Sequence, residues 1–260
     1  MNPKRTTLFI LSLAVILSAA ALGARALYRN YQDRQVYYAN VAAQKRADIA
    51  ITIPEGWRRE QIATRLEQLK ICSAADFMAA SEGHEGHLFP DTYRFFQPTP
   101  ATQVVTTLTN NFDDKTKDFS PTENQTILAS IVEREAKYDS ERTIIAGVYA
   151  NRLAIGMKLD ADPTVQYGKE TNELMTANST GPLTLYKYWQ PITQDDYTGI
   201  ISPYNTYLNA GLPPSPIANP GLASLAAATN PAKHDYYYFL HKDGVLYPSR
   251  TLSEHQSKQR

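Results

Sequence analysis

The residue best suited to chemistry is Glu135, near the end of the stretch from Ser120 to Ser140. On a helical wheel that starts at Ile127 and advances about 100° per residue, Glu135 falls at about 80°, in the centre of an apolar stripe. Glu133 falls at about 240°, on the face that normally meets water. Because burial raises the pKa of a carboxyl group, Glu135 can hold a proton near neutral pH and act as a general acid. The structural alternative is a helix-end glutamate that points to solvent or pairs with Arg152.

The residues before Glu135 predict where its helix begins. Ser120, followed by Glu123 three positions later, has the pattern of a capping box. Pro121 suits the first helical position, because its φ is fixed at a helical value. It also lacks the backbone N–H, which would have no hydrogen-bond partner within the helix at that position. We therefore expect Ser120 to cap a helix that carries Glu135 toward its end.

Hydrophobic spacing predicts the elements around this helix. A strand is expected over residues 48–54, and helices are expected over residues 57–69 and 74–80. Asp139 or Ser140 is expected to cap a further helix that ends at Ala154.

The C-terminal part of the chain has the pattern of a β-hairpin. Two apolar stretches, Tyr236–Leu240 and Val245–Tyr247, are separated by a turn that contains Asp243-Gly244. Helices and short strands that are mixed along the chain predict an α+β fold.

Composition excludes several classes of protein. The chain has 260 residues, and 26 basic residues balance 26 acidic ones, so no net field attracts nucleic acid. The single cysteine, Cys72, cannot form an internal disulfide or hold a structural metal alone. Two histidines three apart, His84 and His87, lack the spacing of a helical zinc site. Without a Gly-rich phosphate loop, a pyridoxal phosphate enzyme is also disfavoured, and we expect neither a metal nor a cofactor.

The N-terminus has the pattern of a membrane anchor. Residues 6–24 carry no charge and follow Lys4 and Arg5, so they predict one transmembrane helix with residues 1–5 in the cytoplasm. Residues 25–47 would form a juxtamembrane stalk, and the remainder would lie outside the cytoplasmic membrane. The alternative is a signal peptide that is cleaved among the small residues 20–26.

Six motifs in sequence order resemble those of the endolytic murein transglycosylases, the MltG (YceG-like) family. The motifs are EGHLFPDTY (85–93), IVERE (131–135), DPTVQYG (162–168), SPYNTY (202–207), GLPPSPIANPG (211–221) and NPAK (230–233). The resemblance implies a LysM-like β-α-α subdomain over residues 48–84 and a mixed α+β catalytic domain over residues 85–260. It covers nearly everything outside the predicted anchor and is weakest in a polar, aromatic insert over residues 169–201.

The resemblance also implies a reaction. The second glutamate of IVERE, Glu135, would be the catalytic acid and base that cleaves the β-1,4 bond between N-acetylmuramic acid and N-acetylglucosamine within glycan strands. The muramyl C6 hydroxyl would attack C1 and leave a 1,6-anhydro end, thereby limiting the length of nascent strands. Expected partners are peptidoglycan strands and murein synthases.

The same motifs supply candidate substrate-binding residues. Tyrosines among them can stack on sugar rings, although packing in the core explains a tyrosine equally well. The candidates are Glu133, Asp91, Tyr93, Asp162, Thr164, Tyr204, Asn205 and Tyr207.

Two other functions remain open. In a muramidase-type hydrolase, Asp91, Asp160 or Asp162 would supply a second carboxylate, although Asp91 and Asp162 also have the pattern of Asx turns. A non-catalytic murein-binding scaffold would need only the LysM-like unit and the anchor, and would have no use for a carboxylate in an apolar stripe.

Overall fold

A computed structural model describes residues 21–36, 48–176 and 186–260. Residues 21–36 are helical (α1) and exposed. The predicted anchor, residues 6–24, lies outside the described residues except for its last four. Within the described ranges, no helix is both long enough and apolar enough to cross a bilayer.

The first core lies where a two-stranded antiparallel sheet packs against three helices. Its elements are β1 (Asp48–Thr52), α2 (Arg59–Gln68), α3 (Ala74–Ala80), β2 (Thr92–Phe96) and α4 (Ala101–Thr116). In the sheet, Asp48 pairs with Phe96 and Thr52 with Thr92. Alternation places Ile51, Tyr93 and Phe95 on the buried face, against Ile62 and Leu66 of α2. The predicted strand and the two predicted helices in this region are confirmed, with ends that move by up to two residues.

The second core is helical and holds the predicted catalytic residue. Its elements are α5 (Glu123–Glu135), α6 (Asp139–Ala154), α7 (Asp162–Thr176), the short α8 (Asp196–Gly199) and α9 (Leu222–Thr229). Ile131 of α5, Ile145 of α6 and Leu225 of α9 are fully buried in one cluster. The backbone at Ala232 passes so close to α6 that only glycine fits at position 147, where a Cβ would lie 2.4 Å from the Ala232 oxygen.

The chain ends in the predicted hairpin and a helix. Strand β3 (Tyr238–Lys242) pairs antiparallel with β4 (Val245–Ser249), and α10 (Leu252–Gln259) follows. Asp243 and Gly244 have φ values of +55° and +77°. These values fit the two-residue turn that a twisted hairpin requires, so the prediction of a hairpin is confirmed.

The predicted start of helix α5 is wrong by two residues. Thr122, and not Ser120, is the N-cap of α5, and its hydroxyl accepts from the Gln125 amide while the Gln125 side chain accepts from the Thr122 amide. The sequence holds two overlapping box patterns, and Ser120 has a φ of +37°, which takes it out of the cap geometry.

The mixed α+β class is confirmed, whereas the LysM-like assignment of residues 48–84 and the domain boundary at residue 84 stay predictions. Strand β1 pairs with β2, beyond that boundary. Asn219 also links the two parts, because its Oδ1 accepts from the amides of Gly86 and Leu88 and its Nδ2 donates to the Trp57 oxygen.

Candidate active site

A cavity of about 490 Å³ opens at the C-terminal end of α5. Three of the predicted site residues line it: Glu135, Asp162 and Tyr207. The other polar and aromatic side chains come from α6, from the segment before α7, from α8, from the hairpin and from α10. They are Tyr149, Arg152, Asp160, Tyr197, Tyr238, Phe239, His241, His255 and Gln259.

Glu135 is the last residue of α5, and its half-buried side chain reaches this cavity. Burial raises its pKa to about 7, and the charge of Asp162 acts in the same direction. A hydrogen bond from Tyr149 and the charges of Arg152 and Arg134 oppose that rise. The carboxyl group is therefore poised to give up and take back a proton near neutral pH, which is what a general acid and base requires.

Tyr149 fixes one oxygen of this carboxyl group. Its hydroxyl donates to Glu135 Oε1 over 3.0 Å. In the described part of the chain, Oε2 has no hydrogen-bond donor. The sequence does not predict this contact, because the helical period shows that Tyr149 points inward but not what its hydroxyl meets.

Arg152 forms one wall of the cavity and does not pair with Glu135. Its Nε donates to the Tyr237 oxygen and its Nη1 donates to the Leu159 oxygen, each over 2.6 Å. The nearest carboxylate oxygen in its ion pair belongs to Asp160, at 3.8 Å. The guanidinium thus holds the start of the hairpin against the segment before α7, and the predicted alternative of a Glu135–Arg152 pair is not what the structure contains.

Asp162 and Tyr207 lie next to each other in the wall of the cavity. The Tyr207 hydroxyl donates to Asp162 Oδ1 over 2.7 Å. The rings of Tyr207 and Tyr197 lie 4.4 Å apart between centroids, at 31°. This arrangement offers an aromatic surface beside an acceptor, which suits a sugar ring and its hydroxyl groups.

Glu133 does not face water as the helical wheel predicts. Its side chain is only 7% exposed and forms an ion pair with Arg142 Nη1 at 3.1 Å. Its Oε2 also accepts from the Gly221 amide and the Ser224 hydroxyl. The prediction fails because α9 and α6 cover that face of α5. Glu133 therefore anchors the start of α9 and lies outside the cavity lining.

Asp91 and Tyr93 lie away from the cavity, beside the first core. Asp91 accepts from its neighbouring Thr92 amide and from Asn111, and it pairs with Lys115. The Tyr93 hydroxyl donates to the Phe89 oxygen and accepts from Asn111. These contacts tie β2 to α4 and give Asp91 a structural role, although its backbone donor is the next residue and not the one two positions on that an Asx turn uses.

None of Thr164, Tyr204 and Asn205 lines the cavity. The side chains of Thr164 and Asn205 form hydrogen bonds with segments that do. Thr164 is buried and donates to the Ala161 oxygen, and its hydroxyl lies 2.8 Å from that of Thr206. Asn205 is buried and donates to the oxygens of Tyr197 and Ile200.

The hydroxyl of Tyr204 meets that of Ser215 over 2.6 Å. The three side chains together position the segments that carry Asp162, Tyr197 and Tyr207. Their assignment as substrate-binding residues stays a prediction.

No local pattern in the sequence indicates that residues of the hairpin belong to the site. His241 Nε2 lies 3.0 Å from Glu141 Oε2, which docks β3 on the start of α6 beside Glu135. The sequence predicts the hairpin but not where it packs. Over the same described ranges, no group of three metal-ligating side chains comes together.

Comparison with known proteins supplies a second line of evidence. The profile of the YceG-like family matches residues 20–260. An endolytic murein transglycosylase of Bacillus subtilis (strain 168) is 38% identical over 183 residues, which are 66% of this chain and 46% of that protein. Another, of Streptococcus pneumoniae, is 26% identical over 295 aligned residues, 88% of this chain and 51% of that protein.

The chain thus spans about half the length of the curated relatives it matches. A crystal structure of a YceG-like protein from Listeria monocytogenes is similar in fold. It has a TM-score of 0.65 and 30% sequence identity, and the match covers 86% of this chain and 80% of that one.

Proposed function

Because the chain belongs to the YceG-like family, we propose that it is an endolytic lytic transglycosylase of peptidoglycan. The substrate is the MurNAc-β-1,4-GlcNAc bond within a glycan strand, and the product carries a 1,6-anhydroMurNAc end. The names of the relatives support this reaction class. The observation that carries the proposal is the Glu135 carboxyl group in the cavity, with its pKa raised to about 7.

One carboxyl group suffices for both steps. Protonated Glu135 gives its proton to the glycosidic oxygen, and the bond from that oxygen to C1 of the muramyl residue breaks. Glu135, now a carboxylate, takes the proton of the muramyl C6 hydroxyl as that oxygen bonds to C1. Proton and bonds balance, no water is consumed, and the enzyme returns to its starting form.

No group in the described ranges donates to Oε2, and this supports the assignment, because proton transfer needs an oxygen that the protein has not already engaged. Tyr197 and Tyr207 provide the surface on which a sugar can stack. Asp162, held by Tyr207, is available to accept from a sugar hydroxyl.

A muramidase-type hydrolase is the second candidate, because Asp160 and Asp162 line the same cavity as Glu135. Hydrolysis needs a second carboxylate to activate water or to form a glycosyl intermediate. Both aspartates have local partners, Arg152 and Tyr207 respectively. A murein-binding scaffold is the third candidate, and the raised pKa of Glu135 favours an enzyme over it.

The wider setting belongs to the same proposal. Residues 6–24 anchor the protein in the cytoplasmic membrane, and the catalytic part lies outside the cytoplasm. There it cuts nascent strands and limits their length, in the vicinity of murein synthases. The uncharged stretch and its basic flank at Lys4 and Arg5 support the anchor.

Mass spectrometry of the products tests the reaction. Purified murein is digested by the full-length chain in water labelled with ¹⁸O. We expect muramyl ends that are one water lighter than reducing ends and that carry no label, because the C6 hydroxyl is the nucleophile. Labelled reducing ends would make the protein a hydrolase and direct attention to Asp160 and Asp162, and binding without any cleavage would make it a scaffold.

A further inference from the structure

Tyr149 lies where two elements meet behind Glu135. It belongs to α6 and is only 1% exposed. Its ring packs edge-on against Phe239 of β3, with centroids 5.8 Å apart at 86°. A ring packed in this way has little freedom, so the direction of its hydroxyl group is set by the fold.

The hydroxyl of Tyr149 is a permanent donor to the catalytic carboxyl group. Burial, together with the charge of Glu135, raises the pKa of the phenol well above its ordinary value, so the proton stays on Tyr149 throughout the working pH range. The bond to Oε1 spans 3.0 Å. In the described residues, the only donor that reaches the carboxyl group is this one.

We propose that Tyr149 is a positioning residue for the acid–base step, and that its hydroxyl holds Oε1 so that the proton moves through Oε2. This inference rests on the proposed function and adds a residue to it. Without the bond, the carboxyl group can rotate about its last torsion, because that torsion is soft. A fixed orientation matters because proton transfer requires the oxygen within hydrogen-bond reach of the glycosidic oxygen.

Other charged and titratable groups also face Glu135, and they determine how its protonation responds to a change at Tyr149. From α5 and α6 come Arg134 and Arg152, and from α7 and the segment before it come Asp162 and Asp160.

The C-terminal hairpin and α10 contribute Tyr238, His241 and His255 to the same cavity, and Tyr197 and Tyr207 line its far side. None of them changes when Tyr149 becomes phenylalanine, so a shift in the pH profile reports the lost hydrogen bond.

The sign of that shift follows from the donor. A hydrogen bond to the ionised carboxylate favours the charged form, so the bond from Tyr149 lowers the pKa of Glu135. Tyr149→Phe removes the donor and raises that pKa. Since Glu135 must be protonated for the first step, the alkaline limb of the kcat profile should move to higher pH, by about half to one pH unit for a bond of ordinary strength.

Steady-state kinetics of full-length Tyr149→Phe on murein strands test the role in turnover. We expect kcat to fall about 10- to 100-fold with KM changed less than about twofold, because Tyr149 is only 1% exposed and acts on the reaction through Glu135. The matched control is Tyr167→Phe, another buried tyrosine, which packs on Arg58 outside this cavity. The control should leave kcat and the pH profile unchanged.

A titration that needs no activity keeps the inference separate from the proposed function. The chain is labelled with ¹³C at the glutamate side-chain carboxyl, and the Glu135 resonance is identified by its loss in Glu135→Gln. We expect its midpoint to rise in Tyr149→Phe and to stay in Tyr167→Phe. An unmoved midpoint in Tyr149→Phe overturns the inference, as does an unchanged kcat on cleaved murein. A raised midpoint in a chain that cleaves no murein supports the bond and contradicts the proposed function alone.

Discussion

The two glutamates Glu133 and Glu135 are two positions apart on one helix and have different surroundings. Glu133 forms an ion pair with Arg142 and accepts a hydrogen bond from the Gly221 amide at the start of α9. Its side chain is shielded from water. Among the described residues, one neutral donor reaches Glu135, at Oε1, and none reaches Oε2. A satisfied buried carboxylate stabilises structure, whereas a desolvated and unsatisfied one holds a proton that it can transfer.

Glu133→Gln should lower stability more than it lowers activity. The substitution removes the charge opposite Arg142, and we expect the free energy of unfolding to fall by about 1–3 kcal/mol. Urea denaturation measures it, with Glu123→Gln as a control because that side chain lies in the first turn of the same helix and is 56% exposed. Cleavage by Glu133→Gln should stay within about tenfold of the unmodified chain. A dead variant of unchanged stability would move the catalytic role to Glu133.

The sequence predicts the position of Glu135 but not the surroundings of Glu133, for a physical reason. Periodicity within α5 identifies the stripe that packs inward. It carries no information about α9, which begins some ninety residues later and covers the opposite face. His241 reaches the site in the same way, through packing of the hairpin on a helix about a hundred residues earlier, and Tyr149 reaches it through packing of α6 on the neighbouring α5.

The start of α6 contacts both the hairpin and the turn that follows α5. Glu141 Oε2 accepts from the amides of Lys137 and Tyr138 and lies 3.0 Å from His241 Nε2. The Glu141 side chain thus holds the turn after Glu135 and also binds strand β3 through His241. The sequence predicts helix α6 and the hairpin separately, and the contact between them becomes visible only in the fold.

Glu141→Gln should therefore loosen this junction. We expect the free energy of unfolding to fall by about 1–2 kcal/mol near neutral pH, because a helix cap and a hydrogen bond to histidine are weakened. Asp139→Asn is the control, since that side chain is in the same turn but 82% exposed, and it should change stability by less than about 0.5 kcal/mol. Equal effects of the two substitutions in thermal and urea denaturation would contradict this role.

The contacts of Glu141 at this junction should make the stability of the fold depend on pH. Burial alone would raise the pKa of Glu141, but the contacts from His241, Lys137 and Tyr138 outweigh it and lower the pKa below its ordinary value. A lowered folded pKa means that this stabilisation is present above the unfolded pKa, about 4.3, and is lost as pH falls through the folded one. The difference in stability between the unmodified chain and Glu141→Gln should accordingly shrink at acidic pH.

At the scale of the whole molecule, local sequence patterns predict the helices and strands well, but they predict less well how these elements pack together. The strand at residues 48–54 and the hairpin follow from alternation and from Asp243-Gly244, and both are present. The pairing of β1 with β2 and the bridging role of Asn219 depend on contacts across forty or more residues, which no local pattern encodes.

Topology is the prediction that concerns the whole chain. If residues 6–24 anchor the protein, everything beyond about residue 30 lies outside the cytoplasm, and protease added to intact spheroplasts should digest it. A cytoplasmic protein in the same cells serves as the control and should survive. Full protection of the C-terminal part, or a mature N-terminus near Arg25, would contradict the anchored arrangement.

Turnover of murein strands by full-length Glu135→Gln tests the central claim most directly. The substitution keeps the size of the side chain and an oxygen that can accept from Tyr149, but removes the proton that must be transferred. We expect cleavage to fall by at least about 10² to 10⁴, with a melting temperature no lower than that of the unmodified chain. Near-normal cleavage by a folded Glu135→Gln would contradict the claim that this carboxyl group is the acid and base.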